Sequence, residues 1–177
     1  MKKNALNLIQ KADFNIQKGF LKPKKKRLSK LDICLKWAPL ISLLVLDAFE
    51  DNAKEKLAKH IIDAATAGLL LNATVQPLKY IFKRTRPNGQ VQSFPSNHAA
   101  ISFLGSEMLR QELKDKQPVL SYSGYIISAT TAVMRMYHNK HWFSDVLTGA
   151  ALGVLSVKLS PKLMDEVIYN TNIQAVV

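Results

Sequence analysis

Apolar positions recur along this chain at the three- and four-residue spacing of helices, and no segment alternates with the period of two expected of a half-buried strand. The pattern predicts helices over about residues 4–18, 29–49, 53–84, 97–115, 118–136 and 142–158, with 160–170 as a short tail. Pro23, the Pro87–Pro95 loop and Pro118 mark breaks, whereas Pro77 is expected to kink the third helix without ending it. Gly149 and Gly153 stand four apart and would let the last core helix approach a neighbour closely. The fold class expected is all-α: a single compact bundle of about six helices over residues 31–170, preceded by a basic N-terminal arm over residues 1–30.

A chain of 177 residues is long enough for one domain with a substantial core. A bilayer crossing needs about 20 predominantly apolar residues. Trp37 to Leu46 lies between Lys36 and Asp47, and Ala64 to Leu78 contains Asn72, Thr74 and Gln76. Gln117 to Met134 is long enough but carries several hydroxyls, and Val146 to Val157 is short. A compact bundle, soluble or lying against a membrane, is therefore expected in preference to six crossings.

Charge is concentrated at one end. Residues 1–36 hold eleven Lys or Arg against two Asp, which is nine of the chain's twelve net positive charges. The densest run is Lys22-Pro23-Lys24-Lys25-Lys26-Arg27. A solvated arm is the default reading and attraction to an anionic membrane surface the next. No nucleic acid is expected as a partner, because nothing else suggests a base-reading surface. Residues 4–12 lack an unbroken apolar stretch and a small-residue cleavage site, so no secretory signal is expected in this sequence. The single cysteine, Cys34, excludes an intrachain disulfide and is expected to be an ordinary buried thiol.

Candidate chemistry falls in three clusters. His141 and Asp145 are four apart, so on a helix they share a face, and a carboxylate on one ring nitrogen leaves the other free to attack. An ordinary surface pair is the bland alternative, which the apolar neighbours Trp142, Phe143, Val146 and Leu147 weaken. Arg135, six residues earlier, would end the preceding helix with a fork of donors suited to phosphoryl oxygens, or would cap carbonyls there. Pro95-Ser96-Asn97-His98 reads as a helix start: Ser96 is a good N-cap, the free backbone N–H groups suit an anion, and His98 can protonate a leaving oxygen. Lys79 and Arg86 lie ahead of the break that Pro87 and Gly89 force and can turn inward, while Lys83 and Arg84 are expected to be solvated. A solvated helix end, nucleic-acid contacts and anionic-lipid contacts are the competing readings of this basic run. Fixed cations, two imidazoles and one orienting acid together suit a tetrahedral, multiply charged anion.

Lys79-x6-Arg86-Pro87, Pro95-Ser96-x-His98 and Arg135-x5-His141-x3-Asp145 resemble, in order and spacing, the three-part motif of the type-2 phosphatidic acid phosphatase superfamily over about residues 70–155. That superfamily also contains bacterial acid phosphatases and vanadium-dependent haloperoxidases. The text around Arg135-Met136-Tyr137, His141-Trp142 and Asp145-Val146 resembles a branch found in Bacteroidetes-like cell envelopes. Asn97 stands where the family has glycine and Met134 where it commonly has serine.

The resemblance implies a metal-independent phosphatase acting on a phosphate monoester or diphosphate, with no cofactor. By it His141 is the nucleophile, Asp145 its partner and His98 the general acid and base. Lys79, Arg86, Ser96, Asn97 (through its backbone N–H) and Arg135 hold the phosphate. The expected substrate is a phosphorylated lipid, a small phosphate ester being equally compatible with the site. The expected location is the cell envelope, periplasmic or membrane-associated. Two other readings stay open: a vanadium-dependent haloperoxidase, and a non-catalytic anionic-lipid-binding relative.

Overall fold

The structure, a computed structural model, describes residues 2–19 and 31–176, so the basic run from Lys22 to Arg27 lies outside the described residues. The described residues form helices α1 (Lys2–Lys18), α2 (Leu31–Ala48), α3 (Ala53–Phe82), α4 (Asn97–Leu113), α5 (Ser123–Tyr137) and α6 (Phe143–Val176). A short 3-10 turn, Leu120–Tyr122, precedes α5, and no strand occurs among the described residues. Helix α3 runs through Pro77 and stops at Lys83, which adopts a left-handed φ of 42° and returns its N–H to the Lys79 carbonyl.

The expected tail at 160–170 is not a separate element, because α6 continues through Pro161. A proline removes the N–H that would bond the carbonyl four residues back. Here that carbonyl, on Val157, accepts a hydrogen bond from the Ser160 hydroxyl at 3.3 Å. Cys34 is exposed, contrary to the expected buried thiol, because it falls on the solvent side of α2.

Helix α4 is the axis of the bundle and packs against α2, α5 and α6, while α3 packs on α6. Its Ala100, Leu104, Met108, Leu109 and Leu113 join Leu43, Ala67, Leu71, Val75 and Val157 in one buried core. Between α4 and α5 the contact is small and polar. The Ser128 hydroxyl lies 2.7 Å from that of Ser102 and 2.6 Å from that of Ser106. Against α6 the approach is closer still: a Cβ on Gly149 would lie 2.4 Å from the Ser96 carbonyl oxygen, and one on Gly153 would lie 2.2 Å from that of Ala100. The spacing noted in the sequence thus sets the two backbones in contact at the start of α4.

Besides His60 near its start, helix α3 buries a narrow stripe, Ala67, Leu71, Val75 and Lys79, at four-residue intervals. The rest of its apolar surface is open, with Leu69 and Ile81 each 72 % exposed. Ile41 of α2, Ile126 of α5 and Leu155 of α6 extend this into a belt around the bundle. Ala53–Phe82 and Phe143–Asp165 are each long and apolar enough to cross a membrane, which the sequence pattern alone understates. Hydroxyls that interrupt the apolar runs are satisfied within their own helices: Thr74 donates to the Leu70 carbonyl at 2.9 Å, Thr130 to that of Ile126 at 2.9 Å and Thr131 to that of Ile127 at 3.0 Å. Hydroxyls bonded in this way add little cost to an apolar setting.

Glycine substitutions test the α4–α6 contact. Gly153→Ala is expected to destabilise the fold by about 1–3 kcal/mol or more through overpacking. Gly68→Ala, where nothing lies within 4 Å of the new Cβ, is expected to be neutral or to stabilise by up to about 1 kcal/mol. Thermal unfolding of the two variants in detergent checks the difference.

Candidate active site

Two loops close one end of the bundle, residues 83–96 between α3 and α4 and residues 138–142 between α5 and α6. They are joined backbone to backbone, Asn88 N–H to the Asn139 carbonyl at 3.2 Å, and by the Trp142 indole N–H to the Thr85 carbonyl at 2.8 Å. Gly89, at φ 86°, supplies the left-handed angle for the turn in which its N–H meets the Arg86 carbonyl at 3.0 Å.

His141 lies buried in the second loop, two residues before α6 begins. Its Nδ1 is 2.8 Å from the Ser93 carbonyl oxygen, which can only accept, so Nδ1 carries the proton and Nε2 holds the lone pair. Asp145 was expected to make this bond from one helical face. The structure differs because His141 precedes the helix: Asp145 Oδ2 stands 3.7 Å from Nδ1, and Ser93 is the nearer partner. Burial holds the imidazole pKa well below its usual value, down to about 4, aided by the Arg135 charge and opposed by Asp145. His141 is therefore a neutral imidazole around neutral pH.

Asp145 itself is fully buried in the first turn of α6. Its Oδ1 accepts from Arg84 Nη1 at 2.9 Å. Its Oδ2 accepts from the Trp142 backbone N–H at 2.9 Å and from the Ser93 hydroxyl. The Trp142 contact is the reciprocal half of a capping box, in which an acid three residues into a helix serves an orphan N–H at its start. The Asp145 carbonyl also accepts the Ser96 N–H at 3.0 Å, which fastens α4 to α6.

The predicted cations gather at the same end. Buried Lys79 donates to the carbonyls of Pro95, at 2.8 Å, and Gln92, at 3.1 Å, which fixes the loop entering α4. Arg86, Arg135 and Asp145 are its charged neighbours. Arg86 Nε is buried with no hydrogen-bond partner among the described residues. Burial, then the adjacent Arg135 charge, lowers the Arg86 pKa. Arg135 is buried in the last turn of α5. Such a group of like charges is costly without an anion to neutralise it.

Ser96 is buried and caps α4, its hydroxyl accepting from the Ala99 N–H at 3.4 Å. Asn97 opens that helix at an ordinary helical angle, so nothing here requires the conformational freedom of glycine. His98 is half-buried in the first turn. The helix start directs the Asn97 N–H and the positive end of the helix dipole outward, which suits an anion.

Arg84 is the chief correction to the sequence expectation. It is not solvated: besides Asp145 it binds Asp13 Oδ2 at 2.5 Å and the Ser144 hydroxyl at 2.6 Å. Lys83 is exposed as expected. The one available signal for Arg84 was Asp13, the single acid in α1, which calls for a cation. Ser93 left no signal, because it meets His141 through a carbonyl that any residue would supply.

The PAP2 superfamily model matches residues 61–169, which contain all eight predicted site residues. A curated relative, lipid A 1-phosphatase of Porphyromonas gingivalis, is 32% identical over 139 residues, covering 77% of this chain and 31% of its own length. The chain thus spans about a third of that relative. Among solved structures, the transmembrane PAP2 type phosphatidylglycerolphosphate phosphatase from Bacillus subtilis superposes with a TM-score of 0.64 at 22% identity, over 90% of this chain and 88% of that one. LpxE of Aquifex aeolicus does so with 0.63 at 20% identity, over 84% and 94%. At these identities the two structures show a common fold.

The lowered pKa of His141 sets a titration. NMR of the imidazole is expected to show a neutral ring with the proton on Nδ1 at pH 7, protonating only near pH 4. Because an unfolded chain takes up that proton near pH 6.5, folding stability should fall as pH drops through the window between the two values. A midpoint at or above 6.5 would contradict the burial argument.

Proposed function

The chain belongs to the PAP2 superfamily, and on that premise we propose that it is a lipid phosphatase using His141 as its nucleophile. The observation that carries the reading is His141 itself: neutral, its Nδ1 proton held by Ser93, its Nε2 lone pair unprotonated, with Arg86 and Arg135 as charged neighbours. Phosphoryl transfer asks mainly for positioning and for fixed positive charge around the equatorial oxygens. Lys79, Arg86 and Arg135 supply the charge, and Ser96 and the Asn97 N–H supply donors at the start of α4.

Nε2 attacks phosphorus, the bond to the leaving oxygen breaks, and His98 donates its proton to that oxygen. Water then attacks the phosphohistidine, giving its proton to His98. The phosphorus–nitrogen bond breaks, phosphate leaves, and the electron pair returns to Nε2. Asp145 stabilises the positive charge that develops on His141.

The apolar belt supports a lipid substrate and a membrane seat with the site at one end of the bundle. So does an apolar crevice of about 280 Å³ whose wall includes Asn97 together with Trp37, Leu40, Ala64, Leu71 and Ile101. The named activities of the relatives, on lipid A 1-phosphate and phosphatidylglycerol phosphate, give the first headgroups to test.

Phosphate release from these lipids in mixed micelles, beside a small aryl phosphate, tests the proposal. His141→Ala is expected to fall to background and Arg135→Ala to lose about 10²–10³-fold in kcat. His60→Ala is expected to keep wild-type turnover per folded molecule. His60 pairs with Asp47 at 2.7 Å and lies nineteen residues from Lys79 on α3, or about 28 Å along the axis. Equal release by wild type and His141→Ala would sink the reading.

A further inference from the structure

Helix α1 meets the site's end of the bundle through Asp13 and Gln17. Asp13 is the only acid in α1 and is 2 % exposed. Its Oδ1 accepts the Ser144 backbone N–H at 2.8 Å, and its Oδ2 accepts the Ser144 hydroxyl at 2.7 Å and Arg84 Nη2 at 2.5 Å. The Ser144 N–H is an orphan donor at the start of α6, where Trp142, the residue before the helix, has no side-chain oxygen to cap it. Asp13 caps α6 from another helix. Its second partner, Arg84, is a fork whose other nitrogen holds Asp145 Oδ1 at 2.9 Å. One turn further along α1, buried Gln17 donates to the Met136 carbonyl at 3.0 Å and to Asn139 in the loop that carries His141.

We propose that Asp13 is a positioning residue for His141, acting through Arg84 and Asp145, so that turnover depends on α1 being seated against α6; this rests on the phosphatase reading above. Arg84 is shared between two buried carboxylates. While Asp13 holds Nη2, Arg84 presents only Nη1 to Asp145, and Asp145 Oδ2 stays with Ser93 and Trp142, 3.7 Å from His141 Nδ1. When the Asp13 charge is removed, the fork is free to close on Asp145 with both nitrogens, the geometry such pairs favour. That closure competes for Oδ2 and shifts the carboxylate that faces His141. Asp13 does not touch the phosphate site, so the effect falls on the chemical step and leaves substrate binding alone.

Asp13→Asn separates this role from simple capping. Asparagine caps a helix about as well as aspartate, and its oxygen still accepts the Ser144 N–H, but it has no charge to hold Arg84. In the full chain, in micelles containing lipid A 1-phosphate or phosphatidylglycerol phosphate, Asp13→Asn is expected to melt within a few degrees of wild type. Its kcat should fall about ten- to a hundredfold with KM within about twofold. Arg84→Lys, which cannot hold both carboxylates as a planar fork, is expected to show the same split and decides the matter if Asp13→Asn does not fold. An active wild type, an inactive His141→Ala and wild-type kcat in Asp13→Asn or, failing its folding, in Arg84→Lys would overturn the inference alone. A wild type that releases no phosphate would overturn the phosphatase reading and this inference with it.

Discussion

One buried carboxylate organises this molecule. Asp145 is fully shielded from solvent yet collects the Arg84 guanidinium, the Ser93 hydroxyl and the Trp142 N–H, and it faces the His141 ring. A buried charge left without its partner costs about 3–5 kcal/mol, so these contacts form together or the end of the bundle does not close. The donors come from two segments: Arg84 and Ser93 from the loop after α3, Trp142 from the loop after α5. The helix that carries Asp145 adds its own favourable N-terminal dipole. Closing the loops around the carboxylate is also what fixes His141, since the same Ser93 that donates its hydroxyl to Asp145 offers its carbonyl to the imidazole.

That arrangement is possible because α4 and α6 touch through backbone. Ser96 N–H can reach the Asp145 carbonyl only while Gly149 and Gly153 leave room for the Ser96 and Ala100 carbonyls. Packing by small residues recurs between α4 and α5, where Gly124 meets Ser106. Such close contact suits a bundle whose outside is as apolar as its inside. Charged pairs gather toward the ends: the site at one, and at the other a network in which Lys56 joins Glu50 at 2.6 Å to Glu112 at 2.8 Å beside the Asp47–His60 pair.

The helices were legible in the sequence because their determinants are local: apolar spacing, Ser96 as a cap, Pro87 and Gly89 as a break. The candidate site residues stood out because they carry rare chemistry at fixed intervals. The failures have a common cause in partners that are distant in sequence. Arg84 looks like a solvated member of a basic run until Asp13 and Asp145, 71 and 61 residues away, are placed against it. Ser93 acts through a backbone carbonyl, which no sequence records. The length of α6 depended on a serine beside Pro161 taking up the Val157 carbonyl. The openness of α3 could not be read from hydropathy, since burial of a stripe depends on which neighbours arrive.

The central claim is that His141 carries the phosphoryl group during turnover. Rapid quenching of the enzyme with a lipid substrate bearing radiolabelled phosphate tests it most directly. The account predicts a protein-bound label, stable in alkali and released by acid as expected of a phosphoramidate, that maps to His141 and is absent from His141→Ala. An acid-stable label, or a label that persists in His141→Ala, would contradict it.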